Sequence, residues 1–368
     1  MFCCLTACVS APPLPDTNLE REQLLDSTIL FGTRLDPAPV QDMLEVSNEM
    51  RTFIANGGFE GKSEFARLRH LMELLESNGF FVDQYDAKGT HTAAATFARR
   101  KGNCVAYTNL FVALAREVKL DAQFHLVDTR PEWNVEGGYL MRNNHLNVMV
   151  KAIHAPGYPK AGISIDFNVV RPEKNARSRT ISDAYAQSLY YANIAVDHLH
   201  ARDYQQAFAY LVRGIQTEPN NPDLWNNLGA LYSIMDHHEQ ALLAHQVGLQ
   251  IDPSSETAIG GIAKSLSNLG REAESEVYAA KVRRYQKRNP YYHYAVAYHA
   301  YNDKTFDEAL LAIQQALALK KSSNFYALQA AVAQQLGDEE LVNLSLKKQR
   351  KQFVREQRVS PGVKVSYY

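Results

Sequence analysis

The sequence predicts an α+β domain followed by an all-α repeat region. Three observations carry this. Apolar residues recur at helical spacing over 62–78 and again after Cys104. Period-two alternation then marks three strands within 122–169. From about residue 183 the chain repeats itself roughly every 34 residues with helical patterning throughout. Helices followed by strands argue α+β, and helices stacked at a fixed period argue a solenoid.

The chain has 368 residues, 46% hydrophobic and 21% charged, enough apolar content for more than one buried core. Its net charge of −1 gives no general attraction to nucleic acid. No apolar run approaches the ~20 residues that span a bilayer. Cys3, Cys4 and Cys8 crowd the N-terminus and Cys104 is the only other cysteine, so the folded body has neither a disulfide framework nor a Cys-rich metal site. No cofactor is expected.

The N-terminal 19 residues read as a signal remnant and tether. Leu5-Thr6-Ala7-Cys8 resembles the lipobox of bacterial lipoproteins, in which the Cys is lipidated and becomes the new N-terminus. Only seven residues precede Cys8 and none is basic. Val9-Ser10-Ala11-Pro12-Pro13-Leu14-Pro15 reads as a flexible tether. Neither Val9 nor Ser10 is the Asp that, by the resemblance, holds such proteins in the inner membrane. The implied destination is the outer membrane, facing the periplasm.

The next region, 20–175, holds the expected α+β domain. Helices are expected over 40–55 and 62–78, the second with Phe65, Leu68, Leu71, Met72, Leu74 and Leu75 as its stripe. Phe80-Phe81-Val82 is a short strand candidate, and 92–100 a further helix stopped by Gly102. A helix starts at Cys104, with Val105, Leu110, Phe111, Leu114 and Val118 on one broad face. Strands follow at 122–128, from His145 to Ile153, and at 162–169. Alternation puts His145 and Asp166 each on the more polar face of its strand.

Region 183–355 holds the repeats. Residues 222–255 carry Trp225, Leu228, Gly229, Tyr232, Ala241, Leu249 and Pro253, which resembles the tetratricopeptide repeat position by position. Pro219 precedes Pro253 by 34 residues, a looser unit runs to Pro290 with Gly270 at its turn, and another holds Tyr294, Ala309, Ala316 and Leu317. A last partial unit holds Tyr326 and Gly337. The basic run Lys347-Lys348-Gln349-Arg350-Lys351 is expected to be its solvated capping face. About four units and a capping helix are expected. Tyr285, Tyr291, Tyr292, Tyr294, Tyr298 and Tyr301 read mostly as repeat core. His237 and His238 read as solvated turn residues and His245 as part of the second helix. Such solenoids bind peptides on a concave face, so a protein partner is expected there.

Gly102-Asn103-Cys104 followed by an amphipathic helix resembles the nucleophile segment of the transglutaminase-like superfamily. His145 and Asp166 follow at gaps of 41 and 21 residues, in that family's order. The resemblance covers roughly 85–170. It implies a papain-like arrangement, with the Cys at a helix N-terminus facing strands that carry His and Asp. It also implies acyl transfer at a peptide or side-chain amide through a Cys104 thioester, to water or to an amine. A helix N-terminus and the cations Arg99, Arg100 and Lys101 are expected to lower the thiol pKa. His145 would take its proton and Asp166 would orient the imidazole. His125 and His154 are rivals, on the wrong strand and at a strand end. Val105 and Asn147 stand where the family often carries aromatic residues. The alternative function is a non-catalytic envelope scaffold on a relic fold.

Overall fold

The computed structural model describes residues 18–80, 86, 89–127, 134–136, 139–141, 145–155, 158–167, 178–357 and 364–367. Cys8 and the tether lie outside these residues, as do Phe81 and Val82 and the end of the third predicted strand. The chain divides into two compact units, one of residues up to Gln41 with Ser182–Tyr285, the other of Asp42–Ile181 with Gln286–Tyr368.

The first unit opens with two short helices, α1 (Asn18–Gln23) and α2 (Thr28–Phe31). The sequence places residues 20–41 in the α+β domain. They pack instead on the helices that begin at residue 183. Leu24 and Leu30 join a core containing Phe208, Trp225, Leu228 and Tyr232. The Tyr232 hydroxyl donates to the Leu24 carbonyl at 2.9 Å, and Arg213 Nε to the Ala38 carbonyl at 2.6 Å.

In the second unit, four helices precede the sheet among the described residues: α3 (Asn48–Ala55), α4 (Glu64–Ser77), α5 (Ala93–Arg99) and α6 (Cys104–Glu117). The expected helix over 40–55 begins only at Asn48, where Ser47 caps it by accepting from the Met50 amide. Residues 40–47 are irregular, and the Met43 carbonyl accepts from the Ala93 amide at 2.8 Å. Phe80 is not in a strand; its ring packs on Phe53 and Phe97.

The strands are β1 (Ala122–Val127), β2 (Asn134–Glu136), β3 (Tyr139–Met141), β4 (His145–Ala155), β5 (Tyr158–Asp166) and β6 (Ser178–Ile181). β2 and β3 pair with each other. The main sheet runs β6-β1-β4-β5-β7, entirely antiparallel, its last strand β7 (Lys364–Tyr367) supplied from far along the chain. One face carries Phe124, Leu126, Leu146, Val148, Val150, Ile163 and Ile165, all buried. Each such side chain contributes about 1.5–3 kcal/mol on leaving water. The other face carries His125, Asn147, Ser164 and Asp166, also buried.

The repeat helices are α7 (Asp183–His200), α8 (Tyr204–Thr217), α9 (Pro222–Ile234), α10 (His238–Ile251), α11 (Glu256–Asn268), α12 (Glu272–Gln286), α13 (Pro290–Asn302), α14 (Phe306–Leu319), α15 (Ser323–Leu336) and α16 (Glu339–Gln357). Their period is visible in the backbone. Arg202, Asp236, Gly270, Lys304 and Gly337 all have φ between 60° and 75°, spaced 34, 34, 34 and 33 residues apart. Each sits at a turn between paired helices, where the chain must reverse through the left-handed region. Asn221, Ser255 and Asn289 cap the first helices of successive pairs at the same spacing. Within the first unit, His245 of α10 is buried between Gly229 of α9 and Gly261 of α11. It is core and not a solvated residue, and burial holds its pKa down at about 4. Among the described residues no helix is long and apolar enough to cross a membrane.

Candidate functional site

The site is built from the start of α6, the start of β4 and the end of β5. Asn103 caps α6, its side chain accepting from the Ala106 amide at 3.0 Å and donating to Thr90 at 2.7 Å. Cys104 is therefore the first residue of a helix whose next eleven residues are all buried. Gly102 and Gly89 let two backbone segments meet in front of it. The Asn103 amide donates to the Gly89 carbonyl and the Asp86 amide to the Gly102 carbonyl, each at 3.1 Å. A Cβ on Gly102 would stand 2.6 Å from the Ala106 Cβ, so the approach requires glycine.

The thiol meets β4 directly. The backbone amides of Leu146, next to His145, and of Val105 and Cys104 itself lie near the Cys104 sulfur and favour its thiolate. Thr108, one turn along α6, donates to the Leu146 carbonyl at 3.2 Å and fixes the strand to the helix. His145 Nε2 lies 3.0 Å from Asp166 Oδ1, with the residues only 3% and 6% exposed. Register explains the meeting. Val148 pairs with Ile165, so one further step along the antiparallel ladder places Asn147 opposite Asp166. The structure thus gathers Cys104, His145 and Asp166 at one place.

The electrostatics differ from the sequence expectation. Cys104 is partly exposed, yet burial around its sulfur pushes the thiol up to about 11. The Asp166 charge adds to the rise, and the amides of Val105, Cys104 and Leu146 oppose it without overcoming it. Two of the expected cations are engaged elsewhere. Arg100 donates to the Asn78 carbonyl at 2.8 Å and lies 5.3 Å over the Phe80 ring. Lys101 pairs with Asp86 at 3.6 Å.

The rivals stand apart. His125 is buried on β1 opposite Asn147, and burial lowers its pKa. His154 lies within β4, nine residues past His145. Sequence reasoning missed Thr90, Asn109 and the Leu146 amide. Asn109 donates to the His91 carbonyl at 3.2 Å and ties α6 to the loop before α5. Polar residues at helix spacing from Cys104 were the available signal for Thr108 and Asn109. The Leu146 amide leaves no mark in a sequence.

Residues 55–158 match the family model of the transglutaminase-like superfamily, and residues 210–243 match a tetratricopeptide repeat. No curated protein matches the chain. Among solved structures it is similar to "MamA 41-end" from Desulfovibrio magneticus RS-1, at 15% identity over 48% of this chain and 96% of that one, with a TM-score of 0.27. It is similar to the APC/C hetero-tetramer Cut9-Hcn1 at 14% identity over 47% and 34%, with a TM-score of 0.28. It is also similar to YrrB, a TPR protein with an unusual peptide-binding site, at 12% identity over 47% and 87%, with a TM-score of 0.27. The chain joins a transglutaminase-like superfamily domain to a tetratricopeptide-repeat region.

Proposed function

We propose that the protein is a cysteine-dependent acyl-transfer enzyme acting on a peptide or side-chain amide, with Cys104, His145 and Asp166 as its catalytic residues. The observation that carries this reading is the His145–Asp166 contact at 3.0 Å beside a thiol at a helix start. In the proposed reaction, the His145 imidazole takes the Cys104 proton. The sulfur attacks the amide carbonyl carbon, and the C–N bond breaks as the imidazolium returns the proton to the leaving nitrogen. A thioester remains. Water then attacks it, deprotonated by His145, and the carboxylic acid departs as the proton passes to the sulfur. Asp166 holds the imidazole and stabilises its charge while it carries the proton. The backbone amides of Cys104 and Leu146 are the donors for the oxyanion. Water is the favoured acceptor, since it is always present. The repeats over 183–355 select the protein partner, and the catalytic part lies within 20–175. The chain is anchored by lipid on Cys8 to the outer membrane, facing the periplasm; after a high-salt wash a Cys8→Ser variant then leaves the membrane fraction and the wild type stays.

The raised thiol favours a second reading, a non-catalytic scaffold on the same fold, because a thiol at about 11 is unreactive at neutral pH. The two readings separate on iodoacetamide labelling of Cys104 against pH. For the enzyme, an imidazolium facing the sulfur keeps a thiolate below pH 7, and His145→Ala moves the titration toward 11. A wild-type thiol that itself titrates near 11 establishes the scaffold. The substrate is then sought by trapping the acyl-enzyme in envelope extract, with Cys104→Ala as control.

A further inference from the structure

We propose that the outward face of α16 docks on an anionic phospholipid surface. From Leu341 to Arg355 this helix carries Lys347, Lys348, Arg350, Lys351 and Arg355 and no carboxylate, in a chain whose net charge is −1. Lys347, Lys351 and Arg355 follow one another at i, i+4 and i+8, and Lys348 adjoins them, so they form one stripe. The opposite side of the helix is fixed on α15. Ser345 donates to Gln329 at 3.0 Å and Glu356 accepts from Ser323. The stripe therefore faces solvent. Among the described residues none of the five cations reaches a carboxylate, and Lys348 alone has a ring contact, 5.9 Å over Tyr326.

A solvated capping face accounts for the charges and not for what stands among them. Leu344 and Val354 are 44% and 50% exposed on the same side of the helix, Leu344 three and four residues before Lys347 and Lys348, and Val354 three after Lys351. Large apolar side chains set among lysines and arginines are the pattern of a helix that lies in the plane of a membrane. The methyl groups enter the acyl boundary while the cations meet phosphates. Its 19 residues give about 28 Å of contact. Nucleic acid would use the charges and leave Leu344 and Val354 in water, so lipid is the better fit. This inference is independent of the lipid on Cys8.

The test uses the full chain with Cys3, Cys4 and Cys8 replaced by Ser, so that no acyl chain contributes. It is sedimented with vesicles that are roughly one third phosphatidylglycerol, and with pure phosphatidylcholine vesicles. Binding is expected on the first only, weakening as salt passes about 0.15 M. The triple variant K347E/K351E/R355E is expected to lose at least ~100-fold in partition, and Leu344→Ser about tenfold. Thermal melts check that each variant folds; if the triple variant does not, the salt titration and Leu344→Ser decide. Equal binding to neutral vesicles, no salt dependence, or indifference to the substitutions overturns the proposal. So does displacement of the vesicles by duplex DNA at lower concentration, which would assign the face to nucleic acid.

Discussion

His145 and Asp166 meet at 3.0 Å although 21 residues separate them, because β4 and β5 are antiparallel neighbours and each presents its residue at the same end of the sheet. The pair is buried, so removing one member leaves the other without its partner in a place water reaches poorly. Asp166→Ala is expected to cost about 1–3 kcal/mol in urea unfolding. It is also expected to slow Cys104 acylation by about 10²–10⁴-fold. Asp166→Asn restores most of the stability and little of the rate. Equal acylation rates in wild type and Asp166→Ala would remove the carboxylate from the reaction.

Gly260 and Gly261 are adjacent in α11 and make opposite predictions. A Cβ on Gly261 would stand 2.4 Å from the His245 ring, whereas a Cβ on Gly260 meets nothing within 4 Å. Gly261→Ala is expected to destabilise by about 1–3 kcal/mol through overpacking. Gly260→Ala should stabilise by up to about 1 kcal/mol, since alanine replaces glycine in an open helix. Thermal melts of the two variants side by side decide it, and equal shifts would mean that the His245 wedge does not exist.

His245 also predicts an acid sensitivity. Its folded pKa is about 4 against an ordinary 6.5, so between those values the unfolded chain binds a proton that the folded chain refuses. Stability present above pH 6.5 is lost as pH falls, and the loss is complete below about 4. The whole effect is on the order of 3 kcal/mol. His245→Gln should flatten this part of the stability profile. An unchanged acid limb in the variant would show that other groups govern it.

Lys304 carries φ of 63° at a turn where the equivalent residues 270 and 337 are glycine. A lysine there pays the left-handed penalty of roughly 1–2 kcal/mol, partly offset by the lower entropy it loses on folding. Lys304→Gly is expected to raise stability by about 0.5–1 kcal/mol. A lower melting temperature would show that the lysine side chain makes a contact worth more than the strain.

Much of this was legible in the sequence, and the parts that were not share a cause. Gly102-Asn103 announced the start of α6, because a close approach and an N-cap need those residues. Alternation found β4 and β5. Apolar spacing misread residues 40–47 as helix, because Met43 is buried by tertiary contact and not by helical periodicity. The cations near Cys104 were visible and their direction was not; Arg100 turns to Asn78 and Phe80 through contacts twenty residues away in sequence. Lys304 gives no turn signal of the kind glycine gives, so only the 34-residue register reveals it. Residues 24–38 reach the repeats through Tyr232 and Arg213, which no local pattern can show.

The pairing of β7 with β5 has a consequence for how the protein is made. Asp166 is opposite Lys364, roughly 200 residues later. At a synthesis rate of about 5–20 residues per second, the edge of β5 waits some 10–40 s for its neighbour. For that interval the ribosome-bound chain presents an open row of amides and carbonyls beside Asp166, able to pair with any extended segment at hand. The repeats are the stretch of chain that must emerge before the sheet can close.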